Sequence, residues 1–105
     1  MPASTKPAKT ECRNPNTGSS MNIDAATYEL FAKAITHTLQ GDKQLTYTQL
    51  VAGVKDFFQQ QQINFGGSVE WYSVTVKNAL QSEGIIEVFT RKGRKLHQLI
   101  KTLSI

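Results

Sequence analysis

Apolar positions recur with helical period through the middle of the chain and then shift to the short period of a strand. Tyr28, Phe31, Ala32, Ile35 and Leu39 stand at i, i+3, i+4, i+7 and i+11, the stripe of a first helix in a region of order that begins near Ile23. Asp24 is placed to accept from the first free amides of that helix, and Gly41 and Asp42 end it. Leu45 follows as a short edge strand or a staple residue. Thr46-Tyr47-Thr48-Gln49 has the form of a capping box, with Thr46 as cap and Gln49 reaching back. It predicts a second helix over about 47–60 that buries Leu50, Val51, Val54, Phe57 and Phe58. Gln59 to Gln62 read as its solvated last turn. Gly66-Gly67-Ser68 breaks the chain, and Ser68 caps a third helix over about 69–82 with Val69, Tyr72, Val76, Ala79 and Leu80 on one side. Gly84 suits the left-handed position just past a helix end.

Residues 85–90 are β-branched and aromatic and predict a strand. Arg91-Lys92-Gly93-Arg94 is a short basic turn, and residues 95–99 return as the partner strand. Leu96, Leu99, Ile100 and Leu103 also fit helical spacing, so residues 96–105 remain open between strand and short helix. The hairpin is preferred because a lone strand would lack a partner. Residues 1–22 are rich in Pro, Ser, Thr, Asn, Gly and Lys, a composition that buries too little to offset ordering entropy. The expected organisation is a flexible basic tail over 1–22, with a turn at 14–18, followed by one domain over 23–105. The expected fold class is α+β, mainly α: a winged helix-turn-helix, three helices followed by a β-hairpin wing.

Length and composition narrow the setting. At 105 residues the chain suits a single small domain. A lone Cys12 excludes an intramolecular disulfide, which fits a reducing cytoplasm. No apolar run is long enough to cross a bilayer, and residues 1–9 lack the apolar stretch of a secretory signal, so a cytoplasmic location without membrane association is expected. The net charge of +4 is unevenly spread. Residues 77–105 carry six Lys and Arg against two Glu, residues 1–22 are mildly basic, and residues 23–76 are mildly acidic. Basic ends are either solvated surface or a nucleic-acid footprint.

Catalytic chemistry is not expected. His37 and His97 lie far apart, neither stands at metal-ligand spacing from a carboxylate or cysteine, and Cys12 has no nearby base. Gly66-Gly67-Ser68 is followed by no phosphate-binding lysine, and His97 is most simply a surface strand residue. No catalytic residue, metal site or cofactor is assigned. For DNA, the third helix would enter the major groove with Lys77, Asn78 and Gln81, residue types suited to phosphate, guanine or adenine. Arg91, Lys92, Arg94 and Lys95 at the wing would contact backbone or minor groove. The expected function is a DNA-binding domain, a small transcriptional regulator.

The same helix face carries the rival. Glu70 opposes phosphate, while Trp71 and Val74 have the character of a protein-contact hot spot, or of a site covered by residues 14–18 folding back. A protein-interaction or self-associating module on the same fold, without DNA binding, is the alternative.

Asn14-Pro15-Asn16-Thr17-Gly18, Tyr28, Gly66-Gly67-Ser68-Val69-Glu70-Trp71-Tyr72, Val76-Lys77, Leu80 and Gly84-Ile85-Ile86-Glu87 together resemble a small bacterial family of unknown function. Its members are short, winged-helix-like proteins, and the resemblance covers about residues 12–99. It implies the winged-helix fold and a bacterial, cytoplasmic setting, and it supplies no activity, ligand or site. An acidic residue often stands in such relatives at the position of Asn78, which would weaken a general DNA-reading role.

Overall fold

The computed structural model describes residues 9–41 and 43–100. The architecture is α+β, with two short antiparallel hairpins flanking three helices. The order is β1 (Lys9–Arg13), β2 (Ser20–Asp24), α1 (Ala25–Thr38), α2 (Tyr47–Gln60), α3 (Val69–Ser82), β3 (Ile86–Arg91) and β4 (Arg94–Leu99).

Each helix starts where its capping side chain sets it. Asp24 accepts from the Thr27 amide at 3.2 Å and Ser68 from the Trp71 amide at 3.1 Å. At α2 the capping box is complete: the Gln49 amide donates to Thr46 Oγ1 at 3.2 Å, and the Thr46 amide donates to Gln49 Oε1 at 3.0 Å. The third helix hands over to β3 through Gly84, whose φ of +76° an L side chain adopts only with strain.

The three helices bury one apolar core, with Ile35, Leu39, Leu50, Val54, Val76 and Leu80 fully enclosed. Phe31 is its aromatic centre. Its ring meets Phe58 and Phe65 edge-on at 5.1 and 4.9 Å and stacks on Tyr72 at 5.5 Å. Burying a side chain of this size contributes roughly 1.5–3 kcal/mol relative to leaving it exposed.

β3 and β4 pair from Ile86↔Leu99 to Arg91↔Arg94. Lys92 and Gly93, at φ +52° and +77°, form the two-residue turn, and both positive values match the right-handed twist of a tight hairpin. Ile86, Val88, His97 and Leu99 share the face toward the helices, and Lys95 continues that face to the tip. Leu45 bridges His97, with amide-to-carbonyl distances of 3.1 and 2.7 Å, so a short segment before α2 lies along β4. The strand alternative for residues 96–99 is the one found. Residues 101–105, with Leu103, and the helix-ending Asp42 lie outside the described residues.

The beginning of the described chain departs from expectation. Residues 9–24 are not a tail: β1 and β2 pair from Lys9↔Asp24 to Arg13↔Ser20 around a turn at 14–18. In that turn the Gly18 amide donates to the Asn14 carbonyl at 2.8 Å, with Gly18 at φ +77°. The boundary at residue 22 therefore falls inside β2, and the part of the expected tail before Lys9 lies outside the described residues. Cys12 (3% exposed) and Ile23 anchor the hairpin in the core, and the hairpin lies against α1 and α3. A polar segment is thus ordered by two inward side chains and by pairing of its backbone.

Candidate functional site

Four exposed cations decorate the outer end of β3–β4: Arg91, Lys92, Arg94 and Lys95. Lys92 sits in the turn itself and Arg94 follows it. Arg91 is held from behind, donating to Gln44 Oε1 at 2.9 Å, with its guanidinium 5.6 Å from the centre of the Phe89 ring. Gln44 also donates to Gln98 at 3.4 Å, tying the hairpin to the segment before α2. Sequence reasoning passed over Gln44; its place beside Leu45, a residue readable as an edge strand, was the available signal.

Lys95 stands on the inward-facing register of β4, near enough to the half-buried Lys77 of α3 for their charges to interact. Burial, and then the neighbouring Lys95 ammonium, push Lys77 below its ordinary pKa. Lys55 pairs with Glu70 at 2.7 Å, whereas none of these five cations has a carboxylate partner among the described residues. They form one positive surface running from the tip of the hairpin to the middle of α3.

Two sequence expectations about nearby residues are corrected. His97 is not a surface residue but is 1% exposed. Its Nδ1 faces the Leu45 carbonyl at 2.9 Å, so Nδ1–H is the donor and Nε2 carries the lone pair, buried without a partner. Burial first, and then the Lys77 and Lys95 charges, lower its pKa against the opposing pull of the Leu45 carbonyl. Asn78 does not face outward with Lys77 and Gln81. It is 8% exposed, because the β1–β2 hairpin covers that side of α3. The Oδ1 of Asn78 and the Oε1 of Gln81 are both buried without hydrogen-bond partners.

What remains open on α3 is mixed. Glu70 is exposed and takes the Lys55 ammonium, whose hydrogen bond is the main cause holding its carboxyl below the ordinary carboxylate range. The Tyr47 hydroxyl donates to the Glu70 carbonyl at 2.7 Å, fixing the start of α3 against α2. Trp71 is 41% exposed and stands edge-on to Tyr72 at 4.8 Å, beside half-buried Val74. Trp71 keeps 41% of its surface exposed, and the hairpin shares a cleft with α3 at Thr75 and Asn78.

Among the described residues no group of three or more His, Cys, Asp or Glu is arranged to hold a metal ion, and no helix is long and apolar enough to cross a membrane. The model of a family of unknown function, DUF6958, matches residues 9–96, a span that runs from β1 through all three helices and β3 into β4. No curated protein and no solved structure matches the chain.

Proposed function

The chain belongs to the DUF6958 family of unknown function, and we propose that it is a winged-helix domain that grips the phosphate backbone of duplex DNA through its β3–β4 hairpin. The order α1, Leu45 bridge, α2, α3, β3, β4, with the bridge closing onto β4, supports the winged-helix reading. The observation that carries the DNA reading is the positive surface of Lys77, Arg91, Lys92, Arg94 and Lys95, without a carboxylate partner among the described residues. Such cations release counterions when they meet phosphates.

The same geometry argues against base reading by α3. Asn78 is covered, Gln81 buries its carbonyl oxygen, and Glu70 and Trp71 occupy the leading turn of the helix. Contacts to phosphate position a protein without selecting sequence. The grip is therefore sequence-tolerant, and any regulatory role follows from occupancy rather than from reading a site. Binding of a fluorescent duplex across a salt series tests this. Five phosphate contacts give a log–log slope of about −4.5, and replacing Lys92, Arg94 and Lys95 by Ser makes it shallower by about 2.7. Absence of binding at low salt, or a slope the triple variant leaves unchanged, rejects the proposal.

The exposed Trp71 beside Val74 favours a second reading, a protein-contact or self-association surface. Because more than half of Trp71 is covered, the Trp71→Ala protein is first checked for retained folding by circular dichroism. Light scattering during size exclusion should then show a dimer in the wild type and a monomer in the variant.

A further inference from the structure

We infer that the outer face of the β3–β4 hairpin is a stacking step for one unpaired nucleobase, so that the protein prefers DNA in which a duplex runs into a single strand. The inference rests on the reading of this hairpin as a DNA grip and adds the kind of DNA it selects. The strand register places Phe89↔Leu96 and Arg91↔Arg94 on the face opposite the buried Ile86 and His97. Phe89 and Leu96 are half-buried and stand outside the central core, in which Ile86 and Leu99 of the inner face take part. A cross-strand apolar pair of this kind steadies a hairpin. It does not account for the guanidinium laid over it.

The Arg91 guanidinium lies over the Phe89 ring, with Cζ 5.6 Å from the ring centre, and donates to Gln44 Oε1 at 2.9 Å. Gln44 is itself tied to Gln98 at 3.4 Å, so the segment before α2 pins the guanidinium from the side of β4. A long exposed side chain is thereby fixed as a flat cation on a flat ring before any ligand arrives, which lowers the ordering cost of binding. Nucleobases stack on aromatic rings and on guanidinium planes alike. Stacking uses the plane of Arg91 and leaves its remaining N–H groups for a phosphate. Charge fixes how the strand lies. Exposed Glu87, the neighbour of Phe89 on this face, repels phosphate, whereas Lys92 and Arg94 at the tip attract it. The base therefore sits over Arg91 and Phe89 with its phosphates toward the tip. Bases inside a duplex present no free plane, so the step is filled by an unpaired nucleotide.

Fluorescence anisotropy with the full chain tests this on a blunt duplex, on that duplex with a short adenine overhang on each strand, and on the same overhangs made abasic. The abasic form keeps every phosphate and lacks only the bases. The intact overhang should bind at least about fivefold more tightly than the abasic one. Phe89→Leu, which keeps an apolar side chain without the ring, and Arg91→Lys, which keeps the charge without the plane, should each bring the two within about twofold. Both DNAs are measured on the same protein, so a general loss of stability or charge cancels in the ratio. Equal binding of intact and abasic overhangs by the wild type, or a preference that either variant retains, overturns the inference. Failure of the blunt duplex to bind at low salt would instead reject the grip, and is read apart from that ratio.

Discussion

The Nδ1 of His97 lies 2.9 Å from the carbonyl oxygen of Leu45, which is 52 positions earlier in the chain. The same carbonyl accepts the His97 backbone amide at 2.7 Å. One oxygen thus fixes both the course of β4 and the tautomer of its buried imidazole. With Nε2 enclosed and unpaired, a second proton would place a charge in the interior beside Lys77 and Lys95.

This arrangement makes stability depend on pH with a definite sign. The folded His97 titrates below its ordinary 6.5, mainly because burial penalises the cation. Below that ordinary value the unfolded chain takes up a proton that the folded chain refuses, so the contribution is complete above about 6.5 and shrinks as the pH falls toward the folded value. Urea unfolding between about pH 7.5 and about pH 5 should show the wild type losing more stability than His97→Gln, whose amide can still donate to Leu45. Equal losses in the two proteins would mean that His97 is not the group responsible.

Gly53 reverses the usual helix rule. In the interior of a helix, Gly→Ala ordinarily stabilises by roughly 0.5–1 kcal/mol. A Cβ at Gly53 would instead run into the Cγ2 of Thr38, whose hydroxyl is already committed to the Ala34 carbonyl at 2.8 Å. Gly53→Ala is therefore expected to destabilise by about 1–3 kcal/mol. Thr38→Ser, which removes the offending methyl, should recover much of that loss in the double variant. Denaturant unfolding of the four proteins in a double-mutant cycle measures the coupling.

Cys12 reports on whether the β1–β2 hairpin stays docked. Its side chain is buried and its thiol is pushed up to about 11, so little thiolate is present or accessible at neutral pH. Reaction with an aromatic disulfide reagent should be slower than in urea by at least about a hundredfold, and should follow local opening of the hairpin. A native rate equal to that in urea would place Cys12 on a mobile tail.

The helices were legible because their signals are local. Asp24, Thr46 with Gln49, and Ser68 each act within four residues, and the apolar stripes of α1 and α2 each face a single core. The N-terminal hairpin was hidden because Cys12 in β1 and Ile23 in β2 are the one buried side chain each strand has, too few to establish a period. That omission explains the error at Asn78: a helical wheel with one buried side makes it solvent-facing, whereas α3 is covered on a second side by β1. His97 was misplaced because strand alternation does not say which face is inward until Leu45 supplies the third segment. The basic turn at 91–94 was readable directly, yet its relation to Lys77 depends on strand register and helix position.

The bridge from Leu45 to His97 also has a bearing on synthesis. A nascent chain that has emerged only as far as the third helix contains every helical segment but leaves the Leu45 amide and carbonyl unpaired. The partner arrives only after α3 and β3, once the tight turn at Lys92 and Gly93 has reversed the chain. Completion of the interior is therefore held back until the segment carrying the basic tip has also emerged, so display of the basic tip and completion of the fold are a single event.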